Sequence, residues 1–255
     1  MEVIIPSCPF YERPDEDAQL ISECLFGESI RVLDKDDSWV YGKLLTDEYE
    51  GWTKKKYLGQ SNYKNYRIIN TRSTLHTLPN LKSKVIYFLP LGSLLNATKL
   101  NEKWASVSYV FQDKSYIGYT PYSHIKKINE YITDWVAIAE ELIGTPYRWG
   151  GRNSFGIDCS ALVQLCLQTA GEFIPRDTNM QQDIDYPSIE DARELKRGML
   201  VFWDGHVAIA VNEKNIIHAN AYHMKTFIEP LEDANKRIKE EYGNIKKILD
   251  PNKKK

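Results

Sequence analysis

The sequence predicts a multidomain fold, two small all-β barrels followed by an α+β domain. Three observations point there. An internal repeat relates the first stretch of about 60 residues to the next. Within each copy, short β-rich runs are punctuated by turn residues, the spacing of a small barrel. After Ile128 the pattern becomes helical and then strand-like, the order of an α+β domain. The boundaries that follow are 1–62, 63–128 and 129–255.

The repeat runs at an offset of 65 residues: Pro14 matches Pro79, Gly27 matches Gly92, and Trp39 matches Trp104. Later, Gly51-Trp52-Thr53 matches Gly118-Tyr119-Thr120. Each copy opens on a polar, Pro-containing loop and passes an apolar stretch, Leu20-Ile21 or Val85-Ile86-Tyr87-Phe88. A Gly turn, a β-branched strand and the Trp strand follow. Two copies are too few for a solenoid, so the reading is two tandem barrels.

In the third region Thr133 is placed to cap a helix with apolar positions Trp135, Val136, Ile138, Ala139, Leu142 and Ile143, stopped by Gly144. A Gly-rich loop then leads to Asp158, a strong N-cap residue. Cys159, Leu162, Val163, Cys166 and Leu167 mark one face of the helix it opens, which ends at Ala170-Gly171. The stretch from Arg176 to Glu194 is polar with little periodicity. Strands are expected over Met199–Trp203, Val207–Val211 and Ile216–Ala219. The segment from Asp233 to Leu249 packs as a helix or a strand, and its pattern does not say which.

Composition excludes some classes. Of 255 residues, 42% are apolar and 27% charged, and the formal net charge is −2, so the basic surplus of a nucleic-acid binder is missing. The Lys253-Lys254-Lys255 tail reads as a solvated end. No apolar stretch approaches the roughly 18 residues of a membrane helix. The start, Met1-Glu2-Val3-Ile4-Ile5-Pro6, has an acid where a secretory signal has basic residues. Cys8, Cys24, Cys159 and Cys166 include no C-x-x-C pair, so no zinc site or cofactor is expected. Free thiols without a signal suit a reducing cytoplasm.

Cys159 is the most informative residue. Unpaired N–H groups and the positive dipole end at a helix start favour thiolate, and such a position lowers a thiol from its usual value of about 8.5. The alternative is a small buried hydrophobe on the core face. A nucleophilic cysteine wants a base within hydrogen-bond reach and a third group to orient it. Of five histidines, His76 and His124 fall in the barrels and read as surface or loop residues. His206 follows the tight turn Asp204-Gly205 and opens a strand, with His218 twelve residues on. A hairpin centred on Asn212 would oppose the two rings directly. The Asn212 to Asn215 cluster suggests a later centre, in which His218 would not oppose His206 without a bulge.

Taken together, the second half resembles the NlpC/P60 family of papain-like cysteine peptidases, over about residues 132–220. The matching residues are Gly144-Thr145-Pro146-Tyr147-Arg148-Trp149-Gly150-Gly151, Asp158-Cys159-Ser160, Pro175-Arg176-Asp177-Thr178 with Gln181, Gly198-Met199-Leu200, Gly205-His206-Val207-Ala208-Ile209 and Ile217-His218-Ala219. The first half, about residues 1–127, resembles bacterial SH3-like (SH3b) domains, through Trp39 and Trp104 and the closing Gly51-Trp52 and Gly118-Tyr119. Such units often bind wall peptides in that family; the alternative for this chain is a spacer that positions its neighbour.

The resemblance implies Cys159 as nucleophile, His206 as base and His218 as the orienting residue. It implies Tyr147, beside the Cys159 N–H, as an oxyanion donor. Ala161 stands where the family usually has Gly, and its methyl is expected beside the nucleophile, narrowing the cleft. Met199 stands where Asp is common. Family members cut the bond from the γ-carboxyl of D-glutamate to a diamino acid, L-lysine or meso-diaminopimelate, in bacterial wall peptides. Members with SH3b units ahead often need a free N-terminal L-alanine, held by an acid beside the nucleophile. Asp158 takes that place, next to Ser160, with Glu12 and Tyr49 as candidates from the first barrel.

The resulting expectation is a cytoplasmic, monomeric peptidase recycling small wall peptides such as L-Ala-γ-D-Glu-diamino acid, with no nucleic-acid or membrane partner. The alternatives are an SH3b-mediated wall-binding protein with an inactive peptidase domain, and an amidase or acyltransferase on the same fold.

Overall fold

The computed structural model describes residues 1–111 and 114–253; Lys254 and Lys255 of the basic tail lie outside the described residues. The chain forms two compact units, one of residues 1–131 with 150–154, the other of 132–149 with 155–255. The first unit closes at 131 and takes in five residues of the Gly-rich loop.

The first unit holds two repeats built to one plan. The strands of the first repeat are β1 (Glu2–Val3), β2 (Ser7–Tyr11), β3 (Leu20–Leu25), β4 (Ile30–Lys35), β5 (Trp39–Leu44), β6 (Glu50–Lys54) and β7 (Leu58–Gly59). Those of the second are β8 (Tyr66–Ile68), β9 (Arg72–His76), β10 (Val85–Pro90), β11 (Leu94–Lys99), β12 (Trp104–Phe111), β13 (Lys114–Pro121) and β14 (Ile125–Lys127). The second sheet runs β10-β9-β13-β12-β11-β8-β14. The first runs β3-β2-β6-β5-β4, β1 pairs β7, and Glu2 bridges Ser29 just ahead of β4, which is the same order. A 3-10 turn, Lys55–Tyr57 or Tyr122–His124, precedes each last strand.

The drift in offset has a structural cause. Trp39 pairs Lys54 in the first repeat and Trp104 pairs Pro121 in the second, so the second hairpin is two residues longer. Val3, Cys8, Phe10, Cys24, Ile30, Val40, Leu44 and Leu58 make the first core. Ile68, Leu75, Leu89, Leu95 and Val107 make the second, into which Phe26 of the first repeat also packs.

Residues 150–154 are held by buried charge. Arg152, fully buried, forks onto Glu28 at 2.8 and 3.0 Å. The Glu23 carboxylate accepts from the Arg152 N–H at 2.8 Å and from Asn153 Nδ2 at 2.7 Å. Gly150 has φ +71, and a Cβ there would stand 2.6 Å from the Leu20 carbonyl oxygen, so only glycine fits. The reading of His76 as a surface residue is corrected. It is buried, its ring nitrogens meet Ser83 Oγ and Thr74 Oγ1, and its edge rests on Trp104. His124 is half-buried, with Nδ1 3.0 Å from Ser73 Oγ.

In the second unit the first helix, α1 (Trp135–Glu141), is capped by Asp134 and not by Thr133: its carboxylate accepts from the Ala137 N–H. Gly144, at φ +83, follows the helix end. Short strands β15 (Arg152–Asn153) and β16 (Gly156–Ile157) flank the turn before α2 (Cys159–Thr169). The polar stretch contains α3 (Thr178–Gln181) and β17 (Ser188–Ile189). Next come β18 (Leu200–Trp203), β19 (His206–Ala210), β20 (Asn215–Asn220), β21 (Lys225–Pro230), α4 (Leu231–Tyr242) and β22 (Lys247–Leu249). The segment left open by the sequence is both a helix and a strand.

The sheet order is β17-β22-β18-β19-β20-β21, so the last strand inserts between β17 and β18. Leu231, Ala234 and Ile238 of α4 pack on Val201, Trp203, Ala208, Ala210 and Ile216 of the sheet. Alternation along the strands puts these sheet residues on one face. The α2 helix packs against β19 and β20 and is buried along its whole length. Among the described residues no helix is long and apolar enough to cross a membrane.

Candidate active site

Cys159 is the first residue of α2, as its capping sequence requires. The Asp158 Oδ1 accepts from the Ala161 N–H at 2.9 Å, and Asp158 is extended, as an N-cap residue is. Arg176 donates to both Asp158 oxygens, at 2.9 and 2.6 Å, and to Ser160 Oγ at 2.8 Å. Gln181 Nε2 donates to the Ser160 carbonyl at 3.0 Å and to that of Pro175 at 2.9 Å. The helix start is therefore tied to the Pro175–Thr178 motif by buried bonds. Asp158, the acid expected to hold a substrate ammonium, is thus already paired with Arg176 within the fold.

Cys159 is 7% exposed, with Sγ 3.8 Å from Thr178 Oγ1, and the sulfur accepts from the Val207 N–H. Burial, with the Asp158 carboxylate adding to it, pushes Cys159 up to about 11. The Val207 N–H, Thr178 and Arg176 pull the other way. The expected lowering by the helix start is thus overturned. Desolvation of a buried thiolate outweighs the dipole of one helix turn.

The imidazoles meet. His206 Nε2 lies 2.7 Å from His218 Nδ1, the rings 5.0 Å apart and edge-on. Trp203 pairs His206 across the two-residue Asp204-Gly205 turn, where Gly205 has φ +65. The ladder pairs Ala210 with Ile216 and Ile209 with Ile217, so its centre is Glu213 and His218 falls opposite Ala208. His206, two residues back, points to the same face, and the rings meet on the diagonal. The bulge thought necessary for a later turn centre is therefore not needed. The even separation of twelve decides the face, and ring length covers the offset.

Beyond His218 the sequence reading stopped, and the structure continues. His218 Nε2 lies 2.8 Å from Glu229 Oε1, and Arg237 of α4 donates to Glu229 through both terminal nitrogens. Burial would raise Glu229, but bonds from His218 and Arg237 hold it down at about 2. Burial pushes His206 down to about 3, His218 assisting, and lowers His218 against the pull of Glu229. The signal that could have found Glu229 is a carboxylate inside the strand Thr226-Phe227-Ile228-Glu229.

Tyr147 is half-buried, its N–H bonded to the Met224 carbonyl, and burial raises its hydroxyl, with Cys159 and Asp158 close enough to add to the rise. Ser160 is buried and engaged with Arg176 and Asp158. Ala161 is fully buried, so its methyl packs inward and does not narrow a cleft. Glu12 and Tyr49 belong to the other unit, Glu12 exposed past β2 and Tyr49 packed at the edge of the first core.

Residues 144–240 match the NlpC/P60 family, and residues 10–58 match the bacterial dipeptidyl-peptidase Sh3 domain. Dipeptidyl-peptidase 6 of Lysinibacillus sphaericus is 27% identical over 238 residues, 86% of each chain. The γ-D-glutamyl-L-lysine dipeptidyl-peptidase of Bacillus cereus is 24% identical over 261 residues, covering 91% of this chain and 76% of that one. The crystal structure of an NlpC/P60 family protein from B. cereus superposes with a TM-score of 0.81 at 17% identity, over 97% of this chain and 98% of that one, a likeness of fold.

Proposed function

For a cysteine peptidase of the NlpC/P60 family with a bacterial SH3 domain ahead of it, which this chain is, we propose hydrolysis of the γ-D-glutamyl–diamino-acid bond in small wall peptides with a free N-terminal L-alanine. The observation that carries the reading is the His206–His218 contact beside a helix start whose cysteine accepts the Val207 N–H. Relatives named as dipeptidyl-peptidases, one for γ-D-glutamyl-L-lysine, support the substrate class. We place the enzyme in the cytoplasm, as a monomer that recycles wall fragments. Residues 63–128 are read as a second SH3-like barrel because their strands repeat the order of the first.

In the proposed mechanism both thiol and imidazole rest uncharged, one raised and the other lowered by burial. As Cys159 Sγ attacks the γ-carbonyl carbon, His206 takes its proton. The Cys159 N–H and the Tyr147 hydroxyl donate to the oxyanion. Collapse breaks the C–N bond, His206 returns the proton to the leaving amine, and water then hydrolyses the thioester. Asp158, with Ser160, is proposed to receive the substrate's N-terminal end. Because Arg176 already pairs with Asp158, the ammonium adds one charge-assisted bond, worth about 1.5–3 kcal/mol.

The experiment is incubation with L-Ala-γ-D-Glu-meso-diaminopimelate, its L-lysine analogue and the N-acetylated form of each, read by mass. Release of L-Ala-γ-D-Glu and free diamino acid is expected, with kcat/KM about tenfold or more lower after acetylation. Equal rates on free and acetylated peptides would overturn the requirement for a free amine. No cleavage of any of them would overturn the substrate.

A further inference from the structure

The chain of bonds that starts at His206 runs through His218 to Glu229 and Arg237. We propose that Glu229 is a positioning residue that sets the tautomers of both imidazoles and so leaves His206 Nδ1 as the bare nitrogen that takes the thiol proton. The proposal rests on the peptidase reading above and extends it by a residue on β21 and its partner on α4.

The argument is one of donors and acceptors. An ionised carboxylate only accepts. Arg237 donates to both Glu229 oxygens, and Glu229 is 7% exposed, so the charge is fixed inside the fold. His218 Nε2, 2.8 Å from Oε1, must therefore carry a hydrogen. A neutral imidazole has one N–H, so His218 Nδ1 is an acceptor. His206 Nε2, 2.7 Å away, must then donate to it. Neutral His206 has spent its one hydrogen there, and Nδ1 is left with a free lone pair. A donor in place of Glu229 would reverse every bond in the chain and put the hydrogen on Nδ1, where a base must be empty.

Other charged groups face this carboxylate. His223 Nε2 lies 3.5 Å from Glu229 Oε1. The Arg237 guanidinium stands 4.2 Å over the Tyr222 ring, with Asp233 adding negative charge near it. Glu229 draws protons toward His206 and His218, whereas Arg237 disfavours charge on both and His223 on His218. When His206 accepts the thiol proton, the carboxylate is the negative group that compensates through His218. Lowered values for both rings are consistent with two neutral imidazoles at pH 7.

The test uses the full chain with 15N-labelled histidine. Two-bond nitrogen–proton spectra at pH 7 are expected to show Nε2–H on both His206 and His218. A wild-type His218 carrying its proton on Nδ1 would overturn the proposal, and this measurement needs neither variant nor substrate. Glu229→Gln, whose amide can turn its NH2 toward His218, is expected to lower kcat roughly 10- to 100-fold, part of the range general-base catalysis spans, with KM within about twofold. Its acid limb should move to lower pH, because a group that raised both imidazoles is gone. Glu229→Asp should recover part of kcat. Wild-type kcat and an unmoved acid limb in Glu229→Gln would sink the idea. Because the spectrum is independent of turnover, an error in the assigned substrate leaves it intact.

Discussion

Arg176→Met tests the buried contact on which the helix headed by Cys159 stands. Methionine keeps much of the side-chain stem and removes the guanidinium. Arg176 is 1% exposed and Asp158 8%, and two bonds of 2.9 and 2.6 Å join them. Removing one partner of such a pair leaves a charge in a place water reaches poorly, at a cost of about 3–5 kcal/mol. That is a large share of the roughly 5–15 kcal/mol by which a domain is stable. Amide hydrogen exchange of residues 159–169 reports the opening free energy of this unit without reference to the other. It should fall by about 3–5 kcal/mol. Adding Asp158→Asn, which removes the orphaned charge and keeps an oxygen for the Ala161 cap, should return part of the loss. If protection in Arg176→Met stays within about 1 kcal/mol of wild type, or the second substitution returns nothing, the charge-pair account is wrong.

Cys159→Ala should abolish peptide release and keep the fold, whereas Cys166→Ala, at a fully buried position deeper in the same helix, should keep turnover and cost roughly 1–2 kcal/mol in urea denaturation. The reverse pattern would remove Cys159 as nucleophile. His206→Ala should lower kcat by about 10²-fold or more, since it removes the base, and His218→Ala by less, since it acts through His206; a larger loss in His218→Ala would refute the order of the chain. Glu229, held at about 2 in the fold against an ordinary 4.5, stabilises the native state above pH 4.5 and stops doing so as pH falls through 2. The gap in unfolding free energy between wild type and Glu229→Gln, about 2 kcal/mol at pH 6 after discounting the shift for solvent screening, should therefore close between pH 5 and 2. A gap that does not change over that range would contradict the linkage.

Several features were legible because they depend on short-range order. Asp158, the helix it caps and the cysteine at its head follow from capping chemistry and 3.6-residue periodicity within twelve residues of chain. The repeat was visible because identical strand orders demand turns and tryptophans at matching places, and the longer β12–β13 hairpin appears as a two-residue drift. The facing of His206 and His218 was not legible in this way: twelve is even, but strands alternate with period two, so the shared face depends on where the turn is centred.

The sequence by itself therefore determined the helix that Cys159 opens and the repeat, since each is a periodic or nearest-neighbour property, while the facing of the two histidines waited on the register of the β19–β20 ladder. Tertiary structure alone decided that Arg237 would reach across from α4 to hold Glu229, and that Lys247–Leu249 would insert between β17 and β18. It also seated Arg152 on Glu28, 124 residues away in sequence. The Cys159 thiol was misjudged for the same reason. A helix start is a local feature, but desolvation is set by every element that closes over the sulfur, and for a buried thiolate that cost exceeds what one turn of N–H groups returns.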